Sequence, residues 1–296
     1  MVLYNSATLF YGGIMSHFKE PAQTDQTLCA EPSACTELPI LFLDEHYCIV
    51  NKPSGLLVHR SWIDPHATEF AVQIVRDQLG QYVYPVHRLD RPTSGVLMFA
   101  LTKDAARCAG EIFEQHRLQK RYIAIVRGYT PESGIIDHCL KEKLDKRSDN
   151  QAQQDKPAQS AVTAFKRLAT KELDVCVDKY PKSRYSLVEM TPTTGRKHQL
   201  RRHMKHLGHP IIGDAKYGKS KHNHFFGEQY QATRLLLAAT SLSFVHPMTQ
   251  QRVNVTAPLD TTFCHLVDQF HWQQAVDPAL LPTDNTIILP RASRKG

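Results

Sequence analysis

From Leu41 onward the order of apolar and polar residues is regular enough to read as elements. LFLDEHYCIVNKP, Leu41 to Pro53, alternates as two short strands about an Asp-Glu-His turn, a β-hairpin closed by Pro53 and Gly55. Thr68 to Leu79 sets apolar residues at helical spacing behind a capping threonine, and an apolar strand, VLMFALT, begins at Val96. Asp104 to His116 predicts a second amphipathic helix. Lys120 to Arg127 (KRYIAIVR) then alternates as a strand that puts Tyr122, Ala124 and Val126 on one face. Strand patterns resume at Ala161 and Arg184, and Lys197 to Leu207 (KHQLRRHMKHL) reads as a strongly basic helix. Strands near Leu235 and Val253 precede a last helix at about Phe263 to Phe270. Many strands with few helices and no internal repeat predict an α+β fold built on one sheet rather than a doubly wound one.

Outside that pattern the chain loses its periodicity. Residues 1–39 predict a poorly ordered N-terminal extension, 40–275 a folded domain, and 276–296 an irregular C-terminal tail. Residues 141–160 have almost no large apolar side chains and read as a surface loop within the domain.

Composition narrows the possibilities. With 296 residues, 42% of them hydrophobic, the chain can bury a substantial core, which excludes a disordered protein. Thirty-six Lys and Arg against 29 Asp and Glu leave a formal charge of +7, which favours a polyanionic partner. No apolar run reaches the roughly 18 residues of a membrane span, so no membrane partner is expected. The first residues lack the basic and apolar regions of a secretory signal, so a cytoplasmic location is expected. The seven cysteines form no C-x-x-C pair, which argues against a disulfide framework or a Cys-based zinc site and predicts reduced, mostly buried thiols.

Two stretches carry candidate chemistry. In HRLDRPTSG, residues 87–95, Asp90 lies between two arginines just before an apolar strand. Guanidinium groups on both sides keep a carboxylate ionised, and a rigid strand end can present it as nucleophile or base. On the residues alone, the same loop also reads as a turn with Asp90 as cap or structural ion pair. In TPTTGRKHQLRRHMKHLGHP, residues 191–210, a helix displays Arg201, Arg202 and Lys205 with no acid between Arg196 and Pro210, which favours phosphate contacts with RNA or DNA. A metal held by His198, His203, His206 and His209 would face that cationic surface, so no metal is expected. Phosphate-loop, dinucleotide-turn, nucleophile-elbow and H-E-x-x-H motifs are absent, so ATP, nicotinamide and zinc-protease chemistry have no support. Asp90 has no obvious carboxylate partner in sequence.

HRLDRPTSG resembles the signature loop of the RluA family of RNA pseudouridine synthases. NKPSGLLVH (51–59), KRYIAIVRG (120–128) and GRKHQLRRH (195–203) are similar to three further motifs of that family, and all occur in the family's order. VHRSW (58–62), KYPKSRYSLVEM (179–190) and HPIIGDAKYG (209–218) are similar to members that lack an S4-type RNA-binding domain and use transfer RNA, with position 65 below the T loop as target. The resemblance implies a pseudouridine synthase fold, a mixed and mostly antiparallel sheet flanked by helices and loops about a central cleft. It implies a catalytic domain over 40–275 without an S4 domain, no cofactor, and a monomer.

Among site residues, the resemblance implies that Asp90 is the nucleophile, attacking sugar or base, a choice left open. Tyr122 would stack on the uracil and help remove the C5 proton, and Arg201 would pair with Asp90. Leu200 would pack against the flipped base and Arg88 hold or replace the extruded nucleotide, with His87, Arg196, Lys197, His198 and Arg202 as further substrate contacts. One departure is Ala238, where the family has His, which is expected to weaken local hydrogen bonding or packing. Ribosomal RNA as substrate, or an RNA-binding module without activity, are the alternatives.

Overall fold

The computed structural model describes residues 37–60, 68–141 and 157–282, and the sequence readings on 1–36, 61–67 (the end of VHRSW), 142–156 and 283–296 lie outside them. The hairpin forms as expected, β1 (Ile40–Leu43) returning into β2 (Tyr47–Lys52), with Asp44 Oδ1 accepting from the amides of His46 and Tyr47 to hold the turn. The residues just before it are engaged as well: Leu38 is buried and exchanges two hydrogen bonds with the Gln78 side chain.

One ten-stranded sheet organises the described residues. Its order is β1, β2, β4 (Ser94–Ala100), β9 (Leu237–Val245), β5 (Leu118–Arg127), β8 (Ser183–Pro192), β7 (Val162–Leu173), β6 (Ser133–Asp137), with β3 (Tyr84–Pro85) joined to β4 and β10 (Arg252–Thr256) to β9. Every strand pair is antiparallel except β4 with β9. That exception shapes the centre of the fold. β2 covers one edge of β4 along its length, so β9 and β3 must share the other. β9 takes its start, Ser94↔Ala238 and Gly95↔Ala239, and β3 takes its end. Residues 86–93 therefore enter the sheet where two parallel strands diverge. Gly95 has φ +111°, and a Cβ there would overlap the Ala239 carbonyl.

Helices cover both faces. α1 (Ala71–Leu79) packs Ala71, Ile74 and Val75 on Val50, Leu97 and Phe99, and α3 (Gln199–His206) packs Leu200 and Met204 on Ala124, Val126 and Met190. Tyr122 borders both clusters. On the alternate strand positions lie α2 (Lys103–Glu114), α4 (Ser220–Tyr230) and α5 (Thr261–Gln269), the last two contributing Phe226, Phe263, Leu266 and Val267 against Ile123, Ile125 and Leu187. No described helix is long and apolar enough to cross a membrane.

Several sequence expectations need correction. α1 starts at Ala71 rather than Thr68, and Phe70 at its N-cap makes no side-chain bond. The carbonyls of Leu57 and Val58 accept from the amides of Ala71 and Val72 instead, so tertiary contact supplies the cap. α4 has no counterpart in the sequence reading, because SKHNHFFGEQY has weak apolar periodicity and is held through Phe226 and His222 beneath Tyr185. Among the described cysteines only Cys48 is buried, while Cys139 and Cys176 are exposed. Ala238 is buried with Ile123 and Phe263, and its backbone pairing to both neighbouring strands is intact. Residues 276–282 include a short 3-10 turn, Pro278–Leu280, whose Leu280 is buried and accepts from the Leu259 amide.

Candidate active site

The divergence of β4 and β9 carries a loop whose backbone is fastened from below. Gly55 N–H donates to the Arg91 carbonyl, Arg91 Nε to the Gly55 carbonyl, and Ser54 Oγ to the Pro92 carbonyl. Lys52, fully buried, donates through Nζ to the carbonyls of Pro53 (2.8 Å), Leu56 (2.8 Å) and Arg91 (3.2 Å). It ties two segments 39 residues apart. Thr93 N–H then closes a turn on the Asp90 carbonyl at 3.0 Å, which leaves the Asp90 carboxylate facing a cleft of about 690 Å³.

Burial, reinforced by the nearby Arg234 charge, pushes Lys52 down to about 7. The free amine of an unfolded chain titrates near 10.4, so between those values the folded state binds fewer protons, and stability from this group rises with pH across that window. Lys52→Met is expected to flatten that rise and, by leaving three carbonyls short of a donor, to cost about 2–4 kcal/mol and lower kcat. Urea denaturation at pH 6.5 and 9.5 with parallel kinetics checks it, and unchanged curves would remove Lys52 from the support of the loop.

Arg201 reaches Asp90 from α3. Its Nη1 donates to Asp90 Oδ2 at 3.0 Å, while Nε and Nη2 form a side-on pair with Asp214 at 2.8 and 2.9 Å. Asp214 is itself held by the amides of Lys216 and Tyr217, both at 2.9 Å. Burial opposes both charges, yet their hydrogen bonds and attraction win: Arg201 is raised above its usual range and Asp214 lowered below its own. The reading of Asp90 as a solitary acid is thus corrected, since the two carboxylates share one guanidinium. The Tyr217 ring lies 5.2 Å from that guanidinium, within cation–π range.

His198 occupies the residue before α3 in a left-handed conformation, φ 56°, uncommon for a side chain with a Cβ. This turns its ring toward the site, Nδ1 on the Tyr217 hydroxyl (3.1 Å) and Nε2 3.8 Å from Asp90 Oδ1. Burial lowers its pKa. Gln199 fixes the approach: its Oε1 accepts from Thr194 Oγ1 and Arg196 N–H, and its Nε2 donates to the Val162 carbonyl and Thr163 Oγ1.

Tyr122 enters the cleft from β5 at a break in register with β9, between Arg121 and Tyr122. The irregularity swings the side chain into the cleft, and Thr240 Oγ1 donates to the Arg121 carbonyl beside it. Burial and then the Asp90 charge raise the Tyr122 pKa, so it stays a neutral phenol. On the opposite rim His87 Nε2 accepts from the Met98 amide at 3.0 Å and its ring stacks on Phe113; burial and Lys120 push it down to about 3, which keeps it an uncharged acceptor.

Of the residues named from sequence, Asp90, Tyr122, Arg201, Arg88, His87, Leu200, Arg196 and His198 line this one cleft. Lys197 and Arg202 do not; Lys197 is exposed and Arg202 half-buried. Lys52, Asp214, Tyr217, Gln199 and His59 were missed, although NKPSGLLVH and HPIIGDAKYG contain four of them. The four helix-region histidines are dispersed, His203 to Thr163 Oγ1, His206 stacked on His138, and His209 to the Arg127 carbonyl. Among the described residues no group of three or more His, Cys, Asp or Glu is placed to hold a metal ion. The arrangement presents the Asp90 carboxylate, a neutral aromatic face and several cations in a cleft that suits an anionic, planar-ringed ligand.

Residues 46–206 match the family described as RNA pseudouridylate synthase. The chain is 51% identical over 241 residues to tRNA pseudouridine synthase C of Vibrio parahaemolyticus, covering 81% of this chain and 98% of that protein. Its identity to the Vibrio cholerae protein of the same name is 52% over 239 residues, with the same coverage. Among solved structures, Human RNA Pseudouridylate Synthase Domain Containing 1 superposes with a TM-score of 0.60 at 26% identity, covering 81% of this chain and 97% of that one.

Proposed function

The chain belongs to the RNA pseudouridylate synthase family, and from that premise we propose that it isomerises uridine to pseudouridine in transfer RNA, at position 65, with Asp90 as the nucleophile. The observation that carries this reading is the Asp90 carboxylate, oriented by an Arg201 that Asp214 holds in place, beside the Tyr122 ring. The chemistry is balanced without a co-reactant. The N1–C1′ bond breaks, the uracil turns, C5 bonds to C1′, the C5 proton leaves and N1 gains one.

Extruding the base costs a few kcal/mol, which stacking on Tyr122 and Leu200 and phosphate contacts from Arg88, Arg196 and α3 offset. As a neutral phenol, Tyr122 suits a stacking face and a proton relay at C5 better than an anionic base. Asp90, Tyr122 and Arg201 come from one chain, so a monomer suffices, and a transfer RNA substrate goes with a cytoplasmic location.

The test is incubation of the purified protein with unmodified transfer RNA and ribosomal RNA transcripts, without added cofactor, followed by carbodiimide-dependent primer-extension mapping. The expected result is a stop at position 65 of transfer RNA. A stop on ribosomal RNA alone would transfer the activity to that substrate, and binding without any stop would make the protein an inactive RNA-binding module.

A further inference from the structure

A second cavity, of about 510 Å³, lies at the far end of β5, bordered by the turn into β8, the residues after α3, and α4. That volume is within the roughly 300–1,000 Å³ of sites that take small ligands. Two tyrosines are partly exposed at it, Tyr180 at 59% and Tyr129 at 40%, with Lys179 Nζ 5.8 Å from the Tyr180 ring centre and the Arg184 guanidinium 5.3 Å from that of Tyr129. Of its basic groups, Lys182 and Arg184 are engaged by Glu172, and the acid Asp178 by Lys221. Arg127 is different: among the described residues its guanidinium has no hydrogen bond or ion pair.

His222, 4% exposed, also lines the cavity. Its Nδ1 pairs with the Tyr185 hydroxyl at 2.9 Å, and its Nε2 is buried without any partner. With the phenol proton assigned to Nδ1, Nε2 carries a hydrogen and is a donor waiting for an acceptor. Burial, helped by Arg127, pushes this histidine down to about 4, so the ring is neutral. An unpaired guanidinium, an unpaired N–H donor and two part-exposed tyrosine rings, each with a cation over one face, match a phosphate, a base carbonyl and a base plane.

Resting on the transfer RNA reading above, we propose that this cavity is a second nucleotide site, taking one nucleotide of the same RNA whose target uridine enters the Asp90 cleft. Tyr122 and Arg127 are five residues apart on β5, about 17 Å along the strand at 3.3–3.4 Å per residue, and their side chains leave opposite faces of the sheet, so an RNA that enters both sites passes around the Arg127 end of β5 and spans more than about five stacked nucleotides at roughly 3.4 Å each. The helix joining the two sites, α3, exposes Lys205 and His206 with Lys197 ahead of it, a track for the phosphates between them.

The test compares kinetics on a full transfer RNA transcript and on a short hairpin that holds the target uridine but cannot reach the cavity. Tyr180→Ala, an exposed position, and Arg127→Gln are each expected to raise KM for transfer RNA about tenfold with kcat unchanged. Arg127→Gln should also lower the slope of log affinity against log salt by about one. On the hairpin both variants should match the wild type. Wild-type KM for the variants on transfer RNA would overturn the second site, as would equal losses on both RNAs, which indicate a structural role. A wild-type protein silent on both RNAs would instead overturn the uridine-isomerising reading, and this site's role with it.

Discussion

Asp90→Ala is expected to reduce pseudouridine formation by about 10⁴–10⁶-fold, the scale on which removal of a covalent nucleophile acts. Among the described residues no other acid lines the cleft, and the nearby Asp214 is 1% exposed with both of its oxygens committed to Arg201 and two backbone amides. The loop itself should survive, because the Thr93 amide bonds the Asp90 backbone carbonyl and residues 52–56 hold Arg91 and Pro92. RNA affinity should stay within about twofold, since phosphate contacts dominate it. Asp90→Asn, which keeps the shape and one acceptor, should be as inactive. Single-turnover rates with filter-binding affinities read both quantities, and an Asn variant within tenfold of the wild type would exclude Asp90 as nucleophile.

Arg201→Met should damage both folding and chemistry. Removing one member of a buried ion pair costs about 3–5 kcal/mol because the other is left without a countercharge, here Asp214. For a chain of this size that is a fall in Tm of roughly 6–20 °C. In the wild type, Asp214 has a pKa held below the usual carboxylate value. Its contribution is present above about pH 4 and is lost as pH falls through the folded value. In the variant, burial without Arg201 raises the folded pKa instead, so stability improves on acidification and declines toward neutral pH. The sign of the pH dependence therefore inverts. The double variant Arg201→Met, Asp214→Leu removes both buried charges and should recover most of the lost Tm while remaining inactive, with kcat down at least about 100-fold. Thermal scans from pH 4 to 8 with kinetics on the double variant decide this; recovery of activity together with stability would reduce Arg201 to a structural residue.

What could be read from the sequence was what local pattern encodes. The hairpin at Leu41 to Lys52, the alternation that sets Tyr122 with Ala124 and Val126, and α2, read from Asp104 and found at Lys103–Glu114, all follow from hydrophobic period. The meeting of Asp90 with Arg201 came from motif resemblance, because no periodicity joins positions 111 residues apart. Features created by tertiary contact left no local trace. The α1 cap is made by the backbone of Leu57 and Val58, the register break at Tyr122 depends on β9, and α4 depends on Phe226 finding the core. Lys52 looked like one lysine among many in a basic chain, and its role is visible only once three carbonyls surround it.

The parallel seam between β4 and β9 also dictates when the protein becomes competent. Ser94 and Gly95 pair with Ala238 and Ala239, and Arg234 donates to Ser94 Oγ, so the strand leading out of the Asp90 loop acquires this neighbour only after 140 further residues have been made. Such distant pairings form late, since loop closure comes before any contact that rewards it. A chain emerging from the ribosome passes the Asp90 loop early and carries it without Arg201, Asp214 or β9 for more than a hundred further residues. Catalytic competence thus waits for β9, and no truncated product that stops before β9 can bind the substrate in a working site.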